Sequence, residues 1–181
     1  MARRHSPLGA LGRGMLAGAA GTAAMDLVVY RRYRRDGGAR SLLAWEFSAG
    51  LHDWDGAPAP AHVGKRVVEG LFQVTVDPQW ARTTNNVMHW AYGLAWGAQY
   101  GLVAGSARVL QRNHGLLLGQ VVFSSGYVVL PLAKLYKPIW EYDGRTLARD
   151  LSAHLVYGLV TGETFRLLSG RGPRSRRLRR G

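Results

Sequence analysis

Glycine recurs at every fourth position through one apolar stretch of this chain, at Gly93, Gly97, Gly101 and Gly105. With 3.6 residues per helical turn these positions share a face, so the stretch presents a groove bare of side chains. In a water-exposed helix each glycine would cost about 1 kcal/mol relative to alanine. Between helices in a bilayer the same groove lets backbones approach closely, and such packing drives association there. Three other apolar stretches carry the spacing as pairs: Gly14 and Gly18, Gly115 and Gly119, Gly158 and Gly162. A soluble bundle with these stretches as core helices is the competing fold, and the glycine content argues against it.

The four stretches run over about 14–30, 87–105, 115–136 and 151–168. Each approaches the ~17–25 residues that cross a hydrocarbon core. None is purely apolar; their flanks complete the pattern. Arg31-Arg32-Tyr33-Arg34-Arg35 follows the first, Arg108 and Arg112 separate the second from the third, and Arg166 and Arg171 close the fourth. Trp80, Trp90, Tyr136 and Trp140 fall near the ends, where amphipathic rings favour the headgroup layer. The expected fold is an all-α, four-helix transmembrane bundle in one membrane domain, residues 1–170. The N-terminus resembles a secretory signal with Thr22-Ala23-Ala24 as a small-residue site, but Arg13 interrupts the apolar region and a retained first span is expected.

The long connection, 31–84, should carry structure of its own. Pro60 can open an amphipathic helix through Val63, Val67, Val68 and Leu71, and Asp77-Pro78 reads as an N-cap with proline at the first helical position. Residues 171–181 form an Arg-rich tail expected to be disordered.

Absence of cysteine excludes disulfides and thiolate chemistry. Mean hydropathy is −0.11, an average of apolar runs with a polar connection and a basic tail. The net charge of +13 is carried by 21 Arg and 3 Lys. Five arginines between Arg174 and Arg180 suit anionic lipid, at about 1 kcal/mol each near a surface, so the bilayer is the expected partner. Nucleic acid is not expected, because no aromatic interleaving or recognition fold accompanies the charge. Of the 24 Lys and Arg, 12 fall on each side of the four spans, so the positive-inside rule is tied. The terminal side has no acidic residue outside the spans, which leans both termini toward the cytoplasm of a bacterial inner membrane.

The second and fourth spans match without gaps. His89-Trp90-Ala91-Tyr92-Gly93-Leu94-Ala95-Trp96-Gly97 aligns with His154-Leu155-Val156-Tyr157-Gly158-Leu159-Val160-Thr161-Gly162, and Tyr100 with Phe165. The shared pattern lies on one helical face and reads as a packing surface. It implies a two-helix unit duplicated in tandem, both copies entering from the same side. The Ala17-Gly18-Ala19-Ala20-Gly21-Thr22-x-x-Met25-Asp26 opening and the Asn86-x-x-His89-x-x-Tyr92-Gly93 segment resemble uncharacterised bacterial inner-membrane proteins of the YagU type. That resemblance implies a multi-span fold and no established reaction.

Ionisable residues inside spans need a reason, since each costs about 2.5–3.5 kcal/mol at the centre. Asp26 lies four residues before the end of the first span, and His89 and His154 near the starts of the second and fourth. In an up-and-down bundle all three sit roughly 6 Å below one surface. They are expected to meet in one layer with Tyr92 and Tyr157. Three uses fit the cluster: helix bridging, with Asp26 on arginines such as Arg31; a proton relay or gate; and a metal site. Arg13 and Glu163 form a candidate ion pair toward the opposite surface, although Arg166 offers Glu163 a local partner. Gln99 and Gln120 are read as interhelical hydrogen-bonders, and Ser124-Ser125 as small-residue packing.

No Walker, dinucleotide, nucleophile-elbow or HExxH motif is present. No catalytic residue, metal or cofactor is assigned. The leading expectation is a non-enzymatic membrane protein with a structural, stress-related or partner-binding role mediated by its glycine faces, with a second copy or another membrane protein as candidate partners. The alternatives are a small proton-coupled transporter or channel and a membrane-bound metalloenzyme.

Overall fold

The computed structural model describes residues 6–106 and 114–170. The chain is all-helical, with no strand among the described residues. Six α-helices follow in order: α1 Pro7–Arg35, α2 Leu42–Glu46, α3 Ala59–Phe72, α4 Ala81–Ser106, α5 His114–Leu132 and α6 Gly144–Leu168. The basic tail, Arg108 and Arg112 lie outside the described residues.

Local chemistry accounts for the helix ends. Ser6 caps α1 through its side chain at Gly9 N, 3.1 Å, with Pro7 at the first helical position. Arg31–Arg35 lie inside α1 rather than terminating it, because arginine is a good helix former; the chain turns only at Asp36-Gly37, with Gly37 at φ +93°. Asp77 accepts from Gln79 N at 3.0 Å and starts a short 3₁₀ turn, Pro78–Trp80, that runs straight into α4. The amphipathic helix expected in the connection is α3, which packs on α4. α5 stops four residues short of the predicted span, one residue beyond Pro131. α6 begins seven residues early, where Asp143 accepts from Thr146 N at 2.9 Å.

α1 is the hub: it packs on α4 and on α6, and α5 packs on α6. The contacts along α1 and α4 are backbone to backbone. A β-carbon at Gly97 would collide with the Gly14 carbonyl and stand 2.6 Å from Gly18 Cα. One at Gly18 would stand 2.5 Å from the Gly93 carbonyl, and one at Gly14 2.9 Å from Gly101 Cα. α5 and α6 repeat the arrangement. A β-carbon at Gly115 would lie 2.6 Å from the Gly158 carbonyl, one at Gly119 would strike the His154 carbonyl, and one at Gly162 would lie 3.1 Å from Gly115 Cα. A β-carbon at Gly105 would lie 2.8 Å from Ala10 Cβ. These glycine faces are thus occupied within the chain.

The interior is correspondingly made of small residues: Ala10, Gly14, Ala17, Gly18, Gly21 and Thr22 are the buried positions of α1 above Asp26. Larger buried rings are few, with Tyr157 and Phe165 the largest. Phe165 lies edge-on to Tyr100, centroids 5.7 Å apart. Large apolar side chains point outward instead, including Leu16, Val103, Val121, Val128, Val129, Leu132 and Leu167. Among the described helices, α5 alone is long and apolar enough to cross a membrane, so the all-helical fold expected from the sequence is present while four spans are not shown by length and composition.

Candidate functional site

The polar centre forms where the C-terminal part of α1, the start of α4 and the short α2 meet. Asp26 is buried on α1, and His89 Nε2 donates to its Oδ2 at 2.9 Å. The third member is Glu46, the last residue of α2. Its Oε1 accepts from Trp90 Nε1 at 3.1 Å, and ligand atoms of Asp26, Glu46 and His89 lie within 4.8 Å of one another.

Long-range contacts bring Glu46 there. Ser41 caps α2 through Ala44 N, and Trp45 stacks with Tyr30 and Tyr33 of α1 at 5.5 and 6.1 Å between centroids. Three α4 side chains hold the other end: Arg82 Nε donates to the Phe47 carbonyl at 2.8 Å, Asn86 Nδ2 to the same carbonyl at 3.1 Å, and Asn85 Nδ2 to Ser48 Oγ at 3.0 Å. Burial raises the Glu46 carboxyl above its ordinary value, and the neighbouring Asp26 charge pushes the same way; His89 and the Trp90 bond oppose them in part.

His154 does not join Asp26. Its Nδ1 turns back along α6 to the Asp150 carbonyl at 3.0 Å and carboxylate at 3.3 Å, and its ring lies edge-on to Phe123, 5.8 Å between centroids. The single Asp26/His89/His154 layer therefore resolves into two pairs, because Asp150, four residues before His154, offers a nearer carboxylate. The Asp150 carboxylate also takes a hydrogen bond from Tyr127 of α5. Both imidazoles nonetheless line one cavity of about 30 Å³, with Thr22, Met25, Tyr92, Gly93, Val122 and Tyr157 completing its wall. Tyr157 Oη donates to the Gly93 carbonyl at 2.7 Å, tying α6 to α4. Tyr92 Oη reaches Ser125 Oγ at 2.9 Å, so Ser125 is a polar bridge as well as a small residue.

The other expected partnerships form locally. Arg13 Nη1 donates to the Gly9 carbonyl at 3.3 Å, and Glu163 Oε2 takes Arg166 at 2.6 Å, so no Arg13–Glu163 pair is made. The i,i+3 partner on the same helix wins over the distant one. Gln99 bonds to Ala95 O of its own helix at 3.4 Å, and Gln120 lines a shallow groove along α5. Asp26 pairs with His89 and not with Arg31. Arg32 instead reaches α6, at the Arg149 carbonyl and at Ser152 Oγ, 2.9 Å.

Sequence reasoning missed Glu46 and Asp150. Asp150 was visible as an i,i+4 spacing to His154. Glu46 left only one sign, an acid inside the apolar run Leu42-Leu43-Ala44-Trp45-Glu46-Phe47. No known protein family, curated protein or solved structure matches this chain.

Proposed function

We propose that this chain is a multi-pass integral protein of the bacterial cytoplasmic membrane, that α1, α4, α5 and α6 cross the bilayer as two tandem hairpins, and that its role is non-enzymatic. The observation that carries the reading is the inverted distribution of side chains: glycine and alanine inside, leucine and valine outside. In water such a protein would expose a large apolar surface while gaining little by burial. In lipid the outward leucines cost nothing, and small-residue contacts supply the packing. The cavity beside the two histidines, about 30 Å³, has room for one or two waters.

The duplication is supported by register. Gly18 abuts Gly93 and Gly97 as Gly115 abuts Gly158 and Gly162, and Thr22 faces Gly93 as Gly119 faces Gly158. One shift relates α1 to α5 and another relates α4 to α6. Under these shifts Asp26 corresponds to Phe123 and Asn85 to Asp150. Each histidine therefore keeps one carboxylate, drawn from α1 in the first unit and from its own helix in the second. The shifts also place Gly21 and Thr161, which touch between α1 and α6, opposite Leu118 and Trp96. Leu118 and Trp96 belong to one apolar cluster, and α4 and α5 are not among the main helix pairings as α1 and α6 are.

Membranes from cells expressing the chain should retain it through an alkaline carbonate wash and release it only to detergent. Recovery in the wash removes the reading. Because the chain has no cysteine, single substitutions Asp53→Cys and Lys137→Cys report topology, and both should label from the same face. Labelling from opposite faces excludes the two-hairpin arrangement.

The water-sized cavity between His89 and His154 favours a second reading, a proton path, since imidazole titrates near neutral pH. It requires pH-driven proton flux in proteoliposomes that His154→Ala abolishes; equal flux with and without the substitution removes it.

A further inference from the structure

Asp26, Glu46 and His89 come from three separate helices, and their arrangement is unusual for a chain this basic. The protein carries 24 Lys and Arg, yet among the described residues neither Asp26 nor Glu46 has a lysine or arginine partner. Two carboxylates share one imidazole, with Asp26 buried, although like charges so placed repel. The arginine nearest in the bonding pattern, Arg82, is engaged with the Phe47 carbonyl. The cluster is short of positive charge in a molecule that has a surplus elsewhere.

We propose that Asp26, Glu46 and His89 form a binding site for one divalent transition-metal cation of the zinc or manganese class. One imidazole nitrogen with two carboxylates is a ligand set for such ions, whose bonds are about 2.0–2.2 Å. The ion would take the place of the proton that His89 Nε2 donates to Asp26 Oδ2 across 2.9 Å, the two ligands opening slightly to admit it. Glu46, the last residue of a five-residue helix, has a ligand atom within 4.8 Å of those of Asp26 and His89.

The surroundings are built as a metal site's are. Trp90 Nε1 holds one oxygen of Glu46, an outer bond of the kind that orients a carboxylate ligand, and the hydrogen bond between the Glu46 and Asp26 carboxyls is one that the ion would replace. Asn86 stands one turn before His89 and is anchored by its amide nitrogen to the residue after Glu46. Its Oδ1 is buried without a hydrogen-bond partner, an acceptor that a metal-bound water would satisfy. His154, which the sequence alone brought into this cluster, is excluded by its bond to Asp150.

The proposal rests on these side chains and not on membrane residence, so either can fail alone. The test is Zn²⁺ titration of the purified, chelator-stripped full chain by calorimetry, with Mn²⁺ as a second probe. Wild type should bind one equivalent. Asp26→Asn and Glu46→Gln should each weaken binding by about tenfold or more, and His154→Ala should leave it unchanged. Helical content by circular dichroism checks that the variants fold, and Zn²⁺ should raise the unfolding temperature of wild type and of His154→Ala. Wild type that takes up no stoichiometric Zn²⁺ or Mn²⁺ overturns the proposal. So does binding that survives in the folded Glu46→Gln protein, which would place the ion on other histidines.

Discussion

Gly97→Leu should abolish the folded bundle. A β-carbon at this position has the Gly14 carbonyl and Gly18 Cα in its path, and both are backbone atoms that cannot rotate aside. Overpacking a core that can adjust typically costs about 1–3 kcal/mol. Here α1 and α4 must separate along the whole glycine run, so the loss should exceed that range. Separation also breaks the Asp26–His89 bond and the α1 side of the cavity. The control is Gly126→Ala on α5, where an added β-carbon meets nothing within 4 Å. That substitution should be neutral or stabilising by about 1 kcal/mol, the helix-propensity difference. Unfolding of detergent-purified variants, followed by circular dichroism and size-exclusion profile, separates the two. A folded, monodisperse Gly97→Leu protein of wild-type stability would show that the α1–α4 contact is looser than the geometry described here.

The same contact shows what was legible in the sequence. Glycine spacing of four marks a helix face, and the repeat shared by the second and fourth spans implies a two-helix unit used twice, so the α1–α4 and α5–α6 pairings were readable even though a long connection separates α1 from α4. So was the entry of α4, because Asp77 and Pro78 are local signals. The pairing of α1 with α6 was not, since Gly21 gives no hint that Thr161 and Tyr157 fill the space beside it. Helix lengths were misjudged wherever apolarity and helicity part company. Arg31–Arg35 ends the apolar run but continues the helix, and residues 144–150 are polar yet helical. The site was half visible. Asp26 and His89 could be placed at one depth from counting residues. Glu46 could not, because a five-residue helix is too short for a period, and ring contacts with Tyr30 and Tyr33 put it in place.

Depth alone also suggested that Asp26, His89 and His154 form one cluster, and the geometry makes a different thermodynamic prediction. Asp26→Ala and His89→Ala should each destabilise the protein by roughly 2–3 kcal/mol, below the ~3–5 kcal/mol of a fully buried pair because the His89 side chain is 29% exposed. Their double mutant should recover about 1–2 kcal/mol relative to the sum, the coupling of two groups in direct contact. Paired with His154→Ala, by contrast, Asp26→Ala should be additive within about 0.5 kcal/mol, since His154 answers to Asp150 and Phe123. Glu46 makes the first cycle more informative still. Removing Asp26 relieves its repulsion of Glu46, so in a Glu46→Gln background the penalty for Asp26→Ala should grow. Equal coupling of Asp26 to both histidines would restore the single three-residue layer. Coupling confined to His89 would mean that two similar helices carry two independent polar devices, one bridging α1, α2 and α4 and the other joining α6 to Phe123 and Tyr127 of α5.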